Sequence, residues 1–266
     1  MNKTVKEIFL LSAMLIGILV IGGELRNGLF SFGEGKKGYL FLPENFAIGK
    51  SGKFILYLPG RGSVIENGTP FASEHYAEFR RICSAEGYVV AVASLESAWF
   101  NAQAEKDVND MLDYLAEKLQ MDLSRIHLMG GSMGSMSAMI FAGRNYERVI
   151  SICNVFGPFD LKAFYEGSYR ENIRAAYGGY YEQMSHFYES RNPKNYVSLL
   201  KNIPMLIIHG DADWQVKPEQ SQELCNTLKA IGGNQVELII VPGVGHHNGI
   251  VRGLESKIIS FMESCY

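Results

Sequence analysis

The stretch Ile126-His127-Leu128-Met129-Gly130-Gly131-Ser132-Met133-Gly134-Ser135-Met136-Ser137-Ala138-Met139 reads IHLMGGSMGSMSAM. A short apolar run stops at a serine set among three glycines, and a helix-compatible run of small residues follows. The segment Gly130 to Gly134 fits G-x-S-x-G in a strand–turn–helix context. The reason for the glycines is steric. A sharp turn forces the serine into a strained backbone, and strand and helix then crowd so closely that side chains on either side must be absent. The turn presents the hydroxyl beside a helix N-terminus, whose partial positive charge favours a developing anion. A glycine-rich helix entry with Ser132 as a mere cap would give the same letters, so the test is whether the chain supplies partners.

Working outward, strands and helices alternate from about residue 36. Residues 38–46, 54–58, 88–95, 125–129, 149–156, 204–209 and 236–241 are strand-like. Helices are expected over 75–86, 133–144, 217–231 and 249–263. Val108, Met111, Leu112, Leu115 and Leu119 recur at helical spacing and define an amphipathic helix. Continuous apolar strands separated by such helices predict an α/β fold, a mostly parallel central sheet with helices on both faces. Residues 157–202 break the rhythm with many tyrosines and phenylalanines. This insertion before the strand 204–209 is expected to act as a lid or pocket wall, or to pack its aromatics on the main domain.

A serine hydroxyl needs a histidine to take its proton and gains from a carboxylate that orients that histidine. In an open α/β sheet such groups belong beyond the carboxyl ends of strands. The strand PMLIIHG runs into Asp211-Ala212-Asp213-Trp214, and the strand VELIIVPG into Val244-Gly245-His246-His247-Asn248-Gly249. The order is serine, acid, histidine, each past a different strand end. Asp211 competes with Asp213 for the acid, and His247 with His246 for the base.

The segments GGSMG, RNPKNYVSLLKNIPMLIIHGDADWQVKPEQS and VPGVGHHNG give the chain, over roughly residues 38–266, a resemblance to the α/β-hydrolase superfamily. More narrowly, it resembles the prolyl oligopeptidase catalytic domain and its single-domain esterase relatives. The resemblance implies that Asp213 is the acid, since it falls on the second D of H-G-x-x-D-x-x-V, and that His246 is the base. It implies one oxyanion donor in the Met133 amide and another in the loop after FILYL, at Arg61 with Gly62 as the alternative. Pro59 stands where many relatives have histidine, and Gly60 is kept. The Arg61 guanidinium is free to meet a substrate carboxylate or to pair with Glu66.

His127 reads as a core histidine, and His209, His75 and His186 show no metal-ligand spacing with acids or cysteines. Trp214 is placed at the pocket rim or in loop packing, and Asn67-Gly68-Thr69 matches a glycosylation sequon. Cys83, Cys153, Cys225 and Cys265 contain no CxxC pair, and Cys153 is expected as a buried free thiol. The chain is 47% hydrophobic and 20% charged with net charge −3, which fits a globular protein and lacks the basic stripe of a nucleic-acid binder.

Lys3 and Lys6 precede an uncharged apolar run from Ile8 to Gly23. Its length lies between a signal-peptide core of roughly 7–15 residues and a spanning helix of roughly 17–25. Residues 1–35 are therefore expected as a membrane anchor or signal segment with a linker, and 36–266 as a catalytic domain outside the cytoplasm. The expected activity is a serine hydrolase acting on a small-molecule ester through an acyl-enzyme, without metal or cofactor. A peptidase on short peptides is the alternative, disfavoured because the chain lacks length for an added β-propeller. A non-catalytic binding protein is the third reading.

Overall fold

Alternation along a single strand shows how the sheet is buried. In β3 (Lys53–Leu58), Phe54, Leu56 and Leu58 enter one core while Ile55 and Tyr57 enter the other. A strand covered on both faces must be apolar throughout. Accordingly every residue is buried in β4 (Tyr88–Ala93), β5 (Ile126–Gly131), β6 (Val149–Val155) and β7 (Met205–Gly210). With β8 (Val236–Val241) these strands pair in parallel; β2 (Lys36–Phe41) and β1 (Gly28–Phe32) join antiparallel. The eight-stranded order is β1-β2-β4-β3-β5-β6-β7-β8. The structure is a computed structural model that describes residues 25–50, 52–67, 70–233 and 235–266. The apolar run 8–23 and the Gly68-Thr69 of the sequon lie outside the described residues.

The expected linker gives up residues 28–32 to the sheet. There Phe30 and Phe32 are buried and pack on Tyr114, and the hairpin turns through Gly33 and Gly35 at φ 51° and 81°. The strand expected over 38–46 correspondingly shifts to 36–41.

One face of the sheet is covered by α1 (Ala77–Ala85) and α9 (Glu255–Glu263), which bury Phe79, Cys83, Ile258, Ile259 and Met262. The region expected as one helix over 249–263 is a 3₁₀ turn, Asn248–Val251, followed by α9; Gly253 at φ 81° separates them. The opposite face carries α2 (Ala102–Leu119), α3 (Met133–Arg144) and α8 (Glu219–Ala230). Helix α2 starts where Asn101 accepts a hydrogen bond from the Ala104 N–H at 2.9 Å, a side-chain cap for an otherwise orphaned donor. It buries the apolar stripe read from its sequence. Truncating a central member such as Leu112 to alanine is expected to cost about 2–5 kcal/mol.

Helix α3 differs: residues 133–143 are all buried. Its outer side lies under the segment between β6 and β7, where Tyr196 packs so tightly that a Cβ on Gly143 would come within 2.2 Å of the ring. That segment folds as α4 (Leu161–Glu166), α5 (Arg170–Tyr177), α6 (Tyr181–Glu189), a 3₁₀ turn Pro193–Tyr196 and α7 (Val197–Leu200). Its tyrosines pack largely on one another. Tyr188 is buried with ring centroids of Tyr177, Tyr165 and Tyr181 at 4.7, 5.1 and 5.3 Å. Phe164 and Tyr169 instead reach the cleft described below.

The four cysteines are free thiols, and burial pushes that of Cys153 up to about 12. Among the described residues no helix is long and apolar enough to cross a membrane.

Candidate active site

The corner between β5 and α3 carries the serine. Ser132 sits at φ 55°, ψ −126°, a conformation that L-residues adopt only under constraint. The constraint is packing. A Cβ on Gly130 would lie 2.5 Å from the Gly134 carbonyl carbon, and one on Gly134 would lie 1.9 Å from the Leu58 carbonyl oxygen. Neighbouring β6 fixes the corner further. The Ser132 N–H donates to the Val155 carbonyl at 2.9 Å, and the Val155 N–H donates to Ser135 Oγ at 2.9 Å.

Ser132, His246 and Asp213 come together at the carboxyl ends of β5, β8 and β7. The Ser132 hydroxyl donates to His246 Nε2 at 2.9 Å, and His246 Nδ1–H donates to Asp213 Oδ2 at 2.6 Å. This tautomer is the one that satisfies both contacts. Asp213 is buried, and its Oδ1 accepts the N–H groups of Gln215 and Val216 at 2.9 and 3.0 Å. Burial opposes its ionisation. Hydrogen bonds from His209, His246 and Val216 outweigh burial and hold the carboxyl well below the usual range. The Phe156 ring backs the His246 imidazole at 4.6 Å.

The competing residues are occupied elsewhere. Asp211 Oδ1 accepts the Gly243 N–H at 2.6 Å and holds the turn after β8. His247 caps the Asn248–Val251 turn, its Nδ1 accepting the Gly249 N–H at 3.0 Å, and its ring rests on His75 with centroids 4.4 Å apart. Trp214 is 79% exposed and stands outside the lining of the cleft. His127 is enclosed, with Nδ1 2.8 Å from Ser151 Oγ.

His209, which the sequence marks only as lacking metal-ligand spacing at the end of the strand 204–209, supports the acid. It is fully buried, with Nδ1 2.6 Å from Ser221 Oγ. Nε2 lies 2.8 Å from the Val216 carbonyl and 3.3 Å from Asp213 Oδ2. A proton on Nε2 serves both oxygens. The signal available in the sequence was spacing alone, four residues before Asp213.

Oxyanion donors require unclaimed N–H groups. Gly62 donates to the Glu96 carbonyl at 2.7 Å, so its amide is engaged. The Arg61 and Met133 amides have no protein acceptor among the described residues. Gly60 lets their loop approach: a Cβ there would lie 3.3 Å from the Gly131 carbonyl and 3.6 Å from Ser132 Cβ. The Glu96 that pins this loop belongs to a strained turn in which Glu96, Trp99 and Phe100 have φ of 49°, 47° and 53°. Trp99 is tied to α5 in two ways. Its indole N–H donates to Asn172, and its carbonyl accepts the Tyr177 hydroxyl at 2.8 Å.

Above the serine lies a cleft of about 170 Å³ whose walls include Arg61, Trp99, Phe156, Phe164, Tyr169 and Asn248. A larger depression of about 620 Å³, lined in part by Lys36, Glu66 and Asp107, contains none of Ser132, Asp213 or His246. The smaller cleft is thus the one in contact with the candidate chemistry.

Comparison with known proteins bears on the family and the fold. The prolyl oligopeptidase family model matches residues 99–265, more than half of the chain. No curated protein matches it. Among solved structures, it is similar to a putative dipeptidyl aminopeptidase IV from Bacteroides ovatus, at 21% identity and TM-score 0.69, covering 90% of this chain and 35% of that one. It is similar to the acylaminoacyl peptidase of Pyrococcus horikoshii at 18% identity and TM-score 0.66, covering 90% and 40%. It is also similar to the fluorophosphonate-binding serine hydrolase FphF of Staphylococcus aureus at 13% identity and TM-score 0.69, covering 88% and 96%. The chain spans about a third of the first of these relatives, and likeness at such identities establishes the fold. With the family match over the part that carries serine, acid and histidine, the chain belongs to the prolyl oligopeptidase family of serine hydrolases, on an α/β-hydrolase fold.

Proposed function

We propose that the protein hydrolyses carboxylic esters through an acyl-enzyme on Ser132. The observation that carries this reading is the unbroken relay from Ser132 Oγ to His246 at 2.9 Å and from His246 to Asp213 at 2.6 Å. Ser132 Oγ attacks the ester carbonyl as its proton passes to His246 Nε2, and Asp213 stabilises the imidazolium that forms. The Arg61 and Met133 amides and the N-terminus of α3 stabilise the tetrahedral oxyanion. Collapse breaks the bond to the alcohol oxygen, which takes the proton from His246. Water then gives its proton to the same nitrogen and attacks the acyl carbon, and the bond to Ser132 Oγ breaks as that oxygen takes the proton back from His246.

Ester cleavage is favoured by the chemistry of the cleft. Its walls combine Trp99, Phe156, Phe164 and Tyr169 with uncharged polar groups such as Ser63, Gln215 and Asn248, and no aspartate or glutamate lines it among the described residues. A peptide with a free α-ammonium would meet no counter-charge there. The peptidase reading retains support from the family and from the relatives named as peptidases. A peptide with a blocked N-terminus, as the name acylaminoacyl peptidase implies for that relative, suits this cleft better.

A panel of p-nitrophenyl esters set against free and N-acylated aminoacyl-proline anilides decides between them. The ester reading requires kcat/KM for the best ester to exceed that for every anilide, with activity and fluorophosphonate labelling both lost in Ser132→Ala. Turnover of anilides alone would transfer the assignment to peptidase. We further place the catalytic domain outside the cytoplasmic membrane, on the apolar run 8–23 preceded by Lys3 and Lys6. Recovery in the soluble cytosolic fraction would overturn that placement.

A further inference from the structure

We propose that the Arg61 guanidinium is a carboxylate receptor, so that the preferred ester carries a second, ionised carboxyl group a few bonds from the one that is cut. The inference rests on the ester reading above and names its substrate class. Four observations converge on it.

Arg61 lines the cleft beside Ser132, and its Cζ lies 5.5 Å from the centroid of the Tyr169 ring, itself a cleft wall. One face of the guanidinium is thereby supported on an aromatic plane while its N–H edge stays available, the arrangement that suits forked binding of a carboxylate. Second, that edge has no protein partner among the described residues. The acid best placed in the sequence, Glu66, is taken by Lys37 at 2.9 Å. Arginines of the neighbouring elements behave differently: Arg144 and Arg191 both reach Glu105, Arg170 reaches Glu182, and Arg174 reaches Glu171.

Third, Arg61 is the single lysine or arginine among the described residues that line the cleft, and no carboxylate opposes it. An anion entering the cleft therefore meets the Arg61 charge with no carboxylate in the wall, the Asp213 carboxylate being buried behind His246 and paired with it. Fourth, the backbone N–H of the same residue has no protein acceptor among the described residues, and its neighbour Gly60 stands close to Ser132, so the oxyanion role proposed above falls to the same residue. The side chain cannot be farther from the scissile carbonyl than its own length, which fixes the second charge close to the reacting ester. Phe164 and Tyr169 stack with centroids 5.4 Å apart, Trp99 packs at an angle against both, and the three form one wall that covers the apolar link between the two functional groups.

A charged hydrogen-bonded pair contributes about ten- to a hundredfold in kcat/KM. Two matched substrate pairs test the idea and locate the charge. 4-Nitrophenyl hemiglutarate against its methyl ester places the carboxylate on the acyl side; 4-acetoxybenzoate against its methyl ester places it on the alcohol side. The quantity read is the anionic-to-neutral ratio of kcat/KM, so any general loss caused by disturbing the oxyanion loop cancels. The inference requires a ratio of at least about ten for one pair in the parent protein. It also requires collapse to about one in Arg61→Gln, partial retention in Arg61→Lys and inversion in Arg61→Glu. If neutral and anionic esters are cut alike, or the ratio survives Arg61→Gln, the inference is overturned while the ester reading stands. If no ester of either pair is cut, the ester reading fails. The receptor is then judged by labelling of Ser132 with a fluorophosphonate. Protection by phenylacetate but not phenylacetamide, lost in Arg61→Gln, supports it, and equal protection refutes it.

Discussion

The two glycines flanking Ser132 on the helix side and the strand side answer to different contacts, and this gives a sharp prediction. A Cβ on Gly134 would stand 1.9 Å from the Leu58 carbonyl oxygen, a backbone atom with no rotamer to change. An ordinary C···O approach is about 3.3 Å. Gly134→Ala must therefore drive the start of α3 away from β3 by more than about 1 Å, and Ser132 moves with it. Overpacking of this kind costs about 1–3 kcal/mol. At about 2–4 °C per kcal/mol for a domain near this size, the melting temperature should fall by about 2–12 °C. Displacing a nucleophile by about 1 Å from its base and oxyanion donors costs about a hundredfold in rate. At Gly131, in the same corner, an added Cβ would meet Asn248 Oδ1 at 3.5 Å and the Phe156 ring at 3.6 Å, both ordinary contacts. Gly131→Ala should hence melt within about 2 °C of the parent. Thermal denaturation of both variants, with steady-state hydrolysis of a p-nitrophenyl ester, measures the contrast. Equal stability of the two alanine variants, or full activity in Gly134→Ala, would refute the reasoning that close approach of strand and helix dictates the glycines.

Three further outcomes are expected. Ser132→Gly should abolish turnover yet melt higher than Ser132→Ala, because glycine relieves a backbone strain of about 1–3 kcal/mol that alanine retains; a lower melting point for the glycine variant contradicts it. His209→Phe keeps a ring but strands the Val216 carbonyl and the Ser221 hydroxyl, so urea denaturation should show a loss of about 2–4 kcal/mol. Its kcat should fall only about tenfold, because Gln215, Val216 and His246 still hold Asp213; unchanged stability would deny the supporting role. Burial pushes the His127 imidazole from 6.5 down to about 4, so on acidification the unfolded chain takes up the proton first. The contribution of this group is therefore fully present above about pH 6.5 and lost by about 3 kcal/mol toward pH 4, a component of the slope that His127→Gln should remove from denaturation midpoints measured across that range.

What the sequence reveals and conceals follows from the range of the forces involved. The parallel strands were legible because burial on both faces demands uninterrupted apolar runs, and the meeting of Ser132, Asp213 and His246 because each follows the end of such a run. The strand Gly28–Phe32 was concealed: its five residues make sense only through Phe30 and Phe32 packing on Tyr114, far along the chain. His209 was concealed for a like reason. Nothing local distinguishes a histidine buried against Ser221 and Val216 from one at an exposed strand end. The choice of Arg61 over Gly62 as donor depends on the Glu96 carbonyl, which enters through a left-handed turn that no residue type announces. Trp99 as a wall of the cleft depends on the same turn.

That turn has a mechanical consequence. Its first residue clamps the loop bearing the Arg61 amide, and a residue three places on is fastened to Asn172 and Tyr177 of α5. A push on α5 by an arriving molecule is thus transmitted through the four residues 96–99, whose ends Glu96 and Trp99 both have left-handed φ, to the amide proposed to meet the nascent negative oxygen. Recognition at the roof and alignment at the floor share one lever, and loosening its fastening at Asn172 or Tyr177 should blur the distinction between good and poor substrates before it removes turnover altogether.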